Sequence, residues 1–193
     1  SNRSDRFADG ETLVRVPETA ERAIVVASTV SDAAHVELLQ LQDAAREQAE
    51  EVVTVLPYMG YARQDRAFEA GQPVSARAMA RAISTGTDRV VTVNPHEEAN
   101  CDFFDVPCAA VEAAGRLAEP LPELDDPLFL SPDSGAIKLA ETARDAYGGG
   151  ETDYFEKVRL SDTEVEIQPS DADTTDRDVV LVDDIIATGG TMS

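Results

Sequence analysis

Tryptophan is absent from this sequence of 193 residues, and lysine and cysteine occur only twice each. There is no run of eighteen apolar residues, as a membrane-spanning helix would need, and no basic and apolar leader opens the chain. We therefore predict a soluble, cytoplasmic protein with no membrane partner. Cys101 and Cys108 are too far apart for a CxxC pair, so we expect two reduced thiols.

Basic residues are also scarce, because 38 acidic residues face 16 basic ones and the net charge is −22. The acidic residues are spread along the chain rather than gathered in a tail, which argues against disorder. Such a surface repels itself unless salt screens it, so we expect adaptation to a salty cytoplasm. The charge argues against a nucleic-acid partner. A phosphate substrate would need local arginines, backbone amides and metal ions.

Strand-like and helix-like segments alternate along the chain, which predicts an α/β fold with mostly parallel sheets flanked by helices. The expected strands are 12–16, 23–28, 51–56, 89–93, 128–130 and 178–182, and the expected helices are 31–50, 76–84, 109–118 and 136–147. The first two strands look like a hairpin. Val36, Leu39 and Ala44 lie near one face of the first helix, with His35 exposed. A domain change near Pro107 divides the chain into 1–107 and 108–193, and we expect the second domain to be incomplete.

The stretch VVLVDDIIATGGTMS, residues 179–193, runs from a buried strand into two carboxylates and a Gly- and Thr-rich turn. Ligands of open α/β sheets lie beyond the carboxyl ends of strands. Glycines let the backbone approach a phosphate, and the amides of a helix start bind it. Asp183 and Asp184 can accept hydrogen bonds from vicinal hydroxyls, so the pattern favours a sugar phosphate over a simple turn. No lysine follows, which argues against a nucleotide P-loop.

This stretch resembles the phosphoribosyl-diphosphate (PRPP) loop of type I phosphoribosyltransferases. A second stretch, PYMGYARQDRAF at residues 57–68, resembles the ATP-binding signature of the ribose-phosphate pyrophosphokinase family, which base transferases do not carry. Four further segments resemble that family in order and spacing: RFADGE, VNPHEEANCDFFDVP, LSPDSGAIKLA and DYFEKVRLSDTEVEI.

The resemblance implies two tandem type I phosphoribosyltransferase-like domains. It implies transfer of the diphosphoryl group of ATP to O1 of ribose 5-phosphate, giving PRPP and AMP, with Mg²⁺ as cofactor. It also implies self-association, as dimers that build tetramers or hexamers, with part of the adenine site on a neighbouring subunit. The acidic composition adds the expectation of a halophilic archaeal source.

The resemblance assigns residues to each part of that reaction. Those assigned to ATP are Phe7, Asp9, Glu11, Arg63, Gln64, Asp65 and His96. Those assigned to ribose 5-phosphate are Asp183, Asp184, Ala187, Thr188, Gly189, Gly190 and Thr191. His96 and Asp133 are assigned to the metal, and Lys157 and Arg159 to catalysis.

Two other hypotheses stay open at this point. A nucleobase phosphoribosyltransferase would share the 183–191 loop and explain Ala187, but it leaves Arg63, Gln64 and Asp65 unexplained. A non-catalytic, synthetase-like regulatory subunit could lose Lys157, Arg159 or His96 without losing its fold. All three are present, which argues against this hypothesis. The chain departs from the family pattern at Asn94, Ala136 and Ala187, which weakens single contacts.

Overall fold

The structure is a computed structural model that describes residues 3–159, 165–168 and 173–185. The chain divides into two compact units, Ser1–Val111 and Glu112–Ser193. The predicted pair of phosphoribosyltransferase-like domains, 1–107 and 108–193, stays a prediction. Within the described ranges, no helix combines the length and the apolar character that a membrane crossing requires.

Unit 1 is built around a parallel sheet whose strand order is the chain order. Its described elements are β1 (Arg3–Arg6), β2 (Thr12–Arg15), β3 (Ala20–Val26), α1 (Asp32–Arg46), β4 (Ala49–Leu56), α2 (Ser75–Ser84), β5 (Arg89–Val93), the 3₁₀ helix Glu98–Phe103 and β6 (Cys108–Val111). Strands β3, β4, β5 and β6 pair in parallel. Because parallel strands need long crossovers, a helix lies in each connection. The loops that follow these strands therefore share one edge of the sheet.

The core of unit 1 joins the two helices to the central strands. Leu38 of α1, Ile83 of α2, Val52 and Leu56 of β4 and Val90 of β5 are fully or almost fully buried. Each such side chain contributes on the order of 1.5–3 kcal/mol by leaving water.

Helix α1 begins where the sequence predicts, because the Ser31 hydroxyl accepts the Ala34 N–H at 3.2 Å. Its predicted face was wrong at two positions. His35 is buried at 7% exposure and Val36 is exposed, since the face that packs on the sheet is centred on Leu38 and Leu41.

Unit 2 contains a smaller parallel sheet in the order β11-β7-β8. Its described elements are the 3₁₀ helix Ala114–Ala118, β7 (Leu128–Ser131), α3 (Ile137–Tyr147), β8 (Glu151–Tyr154), β9 (Glu156–Arg159), β10 (Val165–Gln168) and β11 (Val179–Leu181). Strands β9 and β10 form an antiparallel pair. Phe129, Ala140, Ala143 and Val182 form the core.

The predicted hairpin between 12–16 and 23–28 was wrong. β2 pairs with β1 instead, and β3 pairs with β4. The tight turn lies earlier, where Gly10 has φ +93° and donates its N–H to the Phe7 carbonyl at 2.9 Å. Glycine adopts this left-handed conformation without a steric penalty. Strand β3 instead pairs with β4 along its length, from Ala20↔Ala49 to Val26↔Val55.

The predicted helix 109–118 was also wrong. Its first part is β6, in register with β5 from Val90↔Cys108 to Val93↔Val111, and only Ala114–Ala118 is helical. Helix propensity is a weak prior that sheet pairing overrides here. The expectation of reduced thiols is contradicted as well, because the 3₁₀ helix before β6 brings Cys101 back to Cys108, and the two form a disulfide.

Candidate active site

The loop after β4 lies against the residues that follow β3. Thr29 donates its N–H to the Tyr58 carbonyl at 3.0 Å, and Gly60 donates its N–H to the Thr29 hydroxyl at 2.8 Å. A Cβ at Gly60 would lie 2.2 Å from the Thr29 carbonyl oxygen, so only glycine fits this approach. The sequence contains the signal, a lone glycine inside PYMGY, but its partner across the sheet edge cannot be read from it.

Tyr61 holds the turn that precedes the predicted ATP residues. Its φ is +64°, a left-handed conformation that is uncommon for a bulky residue. Its hydroxyl donates to the Asp32 carboxylate at 2.5 Å, and this hydrogen bond raises the pKa of the Tyr61 phenol. Its ring lies 5.6 Å from the ring of the buried His35. Sequence reasoning missed Asp32, which is in the first turn of α1.

A cavity of about 480 Å³ opens at this edge of the sheet. Residues 29–32 line one side, and the other side includes Tyr58, Arg63, Gln64 and Phe68. Two of the predicted ATP residues, Arg63 and Gln64, thus lie together at a concave surface. Such surfaces are where small molecules bind in this class of fold.

Gln64 has a second role that its sequence pattern does not reveal. Its side-chain oxygen accepts the Ser75 hydroxyl at 2.5 Å, and its backbone carbonyl accepts the Ala76 N–H at 3.2 Å. The residue therefore anchors the start of α2 to the loop. Asp65, beside it, is half-buried.

His96 follows β5, the strand beside β4, and its side chain is exposed. The chain leaves β5 through Asn94, whose φ of +38° suits an asparagine. Four residues after His96, the buried Asn100 donates its side-chain N–H to the Ala62 carbonyl at 3.0 Å. The structure thus joins the His96 segment to the residue that precedes Arg63. Asn100 lies within the motif VNPHEEANCDFFDVP, but the family resemblance assigns it no role.

Phe7, Asp9 and Glu11 lie in and beside the turn between β1 and β2. Phe7 and Glu11 are joined by a backbone hydrogen bond of 2.8 Å, and the Asp9 carboxylate accepts the Glu11 N–H at 3.1 Å. Arg6 closes the turn by donating to the Gly10 carbonyl at 2.9 Å. The turn is therefore well defined and presents Phe7 at 52% exposure.

Unit 2 brings the predicted carboxylates together. Asp133 follows β7, and Asp183 and Asp184 follow β11, which is paired in parallel with β7. The Asp133 carboxylate accepts the Gly135 N–H at 2.9 Å. Burial raises the pKa of Asp183, and so do its side-chain hydrogen bond with Asp184 and the negative charges of Asp184 and Asp133. These carboxylate oxygens can accept hydrogen bonds from hydroxyl groups or contact a cation.

For the remaining predicted site residues, the structure gives a position on a strand or no description. Lys157 and Arg159 lie two positions apart on β9, in register with Ile167 and Val165 of β10. Residues 187–191, the predicted phosphate-binding turn, lie outside the described residues. In the part of the chain that the structure describes, no three His, Cys, Asp or Glu side chains are grouped to hold a metal ion.

Known proteins resemble the chain over nearly its whole length. A family model described as the N-terminal domain of ribose phosphate pyrophosphokinase matches residues 2–86. A ribose-phosphate pyrophosphokinase of Halobacterium salinarum is 64% identical, over 98% of this chain and 69% of that protein. One from Methanopyrus kandleri is 48% identical, over 97% of this chain and 67% of that protein.

A solved structure is similar as well. The crystal structure of phosphoribosylpyrophosphate synthetase from Mycobacterium smegmatis superposes with a TM-score of 0.75 at 29% identity. The match covers all of this chain and 65% of that one.

Proposed function

The chain belongs to the ribose-phosphate pyrophosphokinase family, whose enzymes make PRPP and AMP from ATP and ribose 5-phosphate, and we propose how its residues divide that reaction. In this division, unit 1 binds ATP and unit 2 binds ribose 5-phosphate. The nucleobase transferase hypothesis gains no support from these relatives. The chain spans about two thirds of their length, so the residue roles below are proposals.

Ribose 5-phosphate binds at the carboxyl edge of the unit 2 sheet. Asp183 and Asp184 accept hydrogen bonds from the ribose hydroxyls, and residues 187–191 bind the 5-phosphate through backbone amides and threonine hydroxyls. The grouping of Asp183 with Asp184 and Asp133 is the observation that carries this proposal. Burial is the main cause of the raised pKa of Asp183, with smaller contributions from Asp184 and Asp133, and hydroxyl donors would stabilise the carboxylates at this partly buried position.

ATP binds at the sheet edge of unit 1. Arg63, whose planar guanidinium suits phosphate oxygens, and His96 hold the triphosphate, and Gln64 and Asp65 complete this side. Phe7, Asp9 and Glu11 contact the adenine of ATP on a neighbouring subunit. Two features support this: the Phe7 ring is exposed enough to stack on a base, and its turn is held by four hydrogen bonds. The proposal therefore includes a homo-oligomer, built from dimers.

The residues fit Mg²⁺ as the cofactor in one respect. Asp133 supplies the hard oxygen that Mg²⁺ prefers, and Mg²⁺ is commonly held by one or two carboxylates together with substrate phosphates and water. We assign His96 and Asp133 to the ion on their sequence motifs. When bound, Mg²⁺ neutralises phosphate charge during the transfer.

The reaction itself joins two polyanions on a protein of net charge −22. The anomeric hydroxyl of the ribose attacks the β-phosphorus of ATP and releases its proton to water. The bond from O1 to the β-phosphorus forms, the bond from the β-phosphorus to the bridging oxygen of the α-phosphate breaks, and AMP leaves. Lys157 and Arg159 stabilise the developing charge at the β-phosphorus. Groups of this kind are worth roughly 10³–10⁵ in rate.

The proposal has two further parts, a cytoplasmic location and adaptation to high salt, and the acidic composition supports the adaptation to salt. The Halobacterium salinarum relative, at 64% identity, supports the second.

A direct assay tests the function. The purified protein in molar KCl is incubated with ATP, ribose 5-phosphate and Mg²⁺, and products are followed by phosphorus NMR. We expect AMP and PRPP in equal amounts. A second incubation with PRPP and nucleobases, without ATP, should yield no nucleotide. Nucleotide formation there would support the transferase hypothesis, and no product in either incubation would support a non-catalytic subunit.

A further inference from the structure

Asn100 is a polar side chain in the interior of unit 1. Its residue exposure is 1%, and it lies in the 3₁₀ helix that follows the His96 segment. Its amide nitrogen donates to the Ala62 carbonyl, while its amide oxygen, also buried, has no hydrogen-bond partner in the described residues. Burying an amide that is half satisfied is unfavourable. The buried Asn100 side chain therefore lowers the stability of the fold unless its one hydrogen bond has a further role.

The acceptor of this bond indicates such a role. The Ala62 carbonyl and the Arg63 N–H belong to one peptide group, which is planar and rigid. A hydrogen bond that fixes the carbonyl therefore also fixes the Arg63 N–H and the position of the Arg63 Cα atom. Ala62 itself is buried, so water does not compete for this carbonyl.

The opposite side of the same turn is held at the surface. Tyr61 adopts its left-handed conformation with its hydroxyl bonded to Asp32, and the Tyr61 carbonyl accepts the Gln64 N–H at 3.0 Å. The turn before Arg63 is thus held by one contact from α1 and one from the segment that follows β5. Only the second contact comes from the part of the chain that carries His96.

We propose that Asn100 is a positioning residue for ATP: its bond to Ala62 fixes the Arg63 loop against the His96 segment, so that two phosphate-binding groups in the loops after neighbouring strands form one preorganised site. The proposal rests on the assignment of Arg63 and His96 to ATP. Preorganised groups bind a ligand more tightly because less ordering remains to be done on binding. Loss of the Asn100 bond should therefore weaken ATP binding and leave ribose 5-phosphate binding unchanged.

A purely structural role is the competing explanation, and the chain contains a matched control for it. Gln42 is fully buried in unit 1 and donates to the Ile83 carbonyl at 3.1 Å and to the Thr54 hydroxyl at 2.8 Å. Its side-chain oxygen also has no hydrogen-bond partner among the residues that the structure describes. It has the chemistry of Asn100 but contacts neither the Arg63 loop nor the His96 segment through these bonds.

The experiment compares Asn100→Leu and Asn100→Ser with Gln42→Met in the purified protein. KM for each substrate, kcat and the melting temperature are measured in molar KCl. We expect about a tenfold rise in KM for ATP in the Asn100 variants, the size of one lost buried hydrogen bond, with KM for ribose 5-phosphate unchanged. Gln42→Met should lower the melting temperature and leave both KM values unchanged. An unchanged KM for ATP in the Asn100 variants, or equal rises for both substrates, would overturn the proposal.

Hydrogen exchange supplies a readout that does not depend on catalysis. Amides of residues 58–64 should exchange faster in the Asn100 variants than in the wild-type protein, and not in Gln42→Met. If the wild-type protein makes no AMP, the proposed function fails, but exchange still tests whether Asn100 holds the loop. Unchanged exchange at 58–64 overturns the inference in either case. If both Asn100 variants fail to fold, Asn100→Gln, which keeps the amide but moves it by one methylene group, replaces them in both measurements, and an unchanged KM for ATP with unchanged exchange would overturn the inference.

Discussion

The substitution Gly60→Ala should damage the Arg63 loop in a measurable way. The added Cβ would lie 2.2 Å from the Thr29 carbonyl oxygen and 2.8 Å from Cε1 of His35, both shorter than real contacts of this kind. Because one of these atoms is backbone, the loop must move. Overpacking costs about 1–3 kcal/mol, and the strained bond from the Gly60 N–H to Thr29 adds about 0.5–1.5 kcal/mol. We therefore expect a loss of about 2–4 kcal/mol in the free energy of unfolding.

For a chain of this size, each kcal/mol lowers the melting temperature by about 2–4 °C, so the expected fall is on the order of 5–15 °C. Circular dichroism in molar KCl measures it. Gly149→Ala is the matched control, since nothing lies within 4 Å of its added Cβ. A Gly60→Ala protein that melts within 2 °C of both the wild-type protein and this control, on the order of the shift from 1 kcal/mol or less, would refute the reasoning.

Three other predictions concern charge. Lys157→Ala should lower kcat roughly 10³-fold with an unchanged melting temperature. Lys138→Ala is the control: it removes the only other lysine, which is exposed on α3, and should leave kcat unchanged. A near-normal kcat for Lys157→Ala would contradict its catalytic role. Because the folded-state pKa of Asp183 is raised, its favourable contribution to stability is fully present below its unfolded pKa of about 3.9 and is lost as pH rises through the folded pKa. Asp183→Asn should therefore melt higher than the wild-type protein at pH 8, with a difference that shrinks as pH falls toward 4, and it should no longer bind ribose 5-phosphate in calorimetry; a constant difference across this range would contradict the shift. Finally, the net charge of −22 predicts that the melting temperature rises between 0.1 M and 2 M KCl, because salt screens the repulsion among surface charges. A melting temperature that stays constant over this range would contradict the prediction.

Elements with a strong local pattern could be predicted from the sequence. The apolar run of β5 and the periodicity of α3 gave bounds within a residue of those observed, Arg89–Val93 and Ile137–Tyr147. Both are long enough for one pattern to dominate. Ser31 likewise marks the start of α1 because a cap acts on its own helix.

Elements that depend on a distant partner could not be predicted in this way. Residues 109–111 are alanine-rich and favour a helix, but they pair with β5. His35 looked exposed, and it is buried because the loop containing Gly60 covers it.

The candidate site shows the same limit. Its charged residues were found because they lie in motifs, whereas Asp32 accepts a hydrogen bond from the Tyr61 side chain and Asn100 donates one to the Ala62 backbone, both in another segment. A side chain that supports a remote peptide group leaves no local pattern in the sequence.

The two parallel sheets differ in how the spatial order of their strands relates to the order of the strands in the sequence. In unit 1 each strand lies beside the one made just before it, so the sheet can grow one strand at a time during synthesis. In unit 2 the central strand β7 must wait for β11, since Val179 pairs with Leu128 only after the whole intervening segment has been made. The proposed ATP site can thus assemble on the ribosome well before the proposed ribose 5-phosphate site. Until β11 arrives, one side of β7 is an open apolar edge, which makes this the stage of folding most exposed to aggregation.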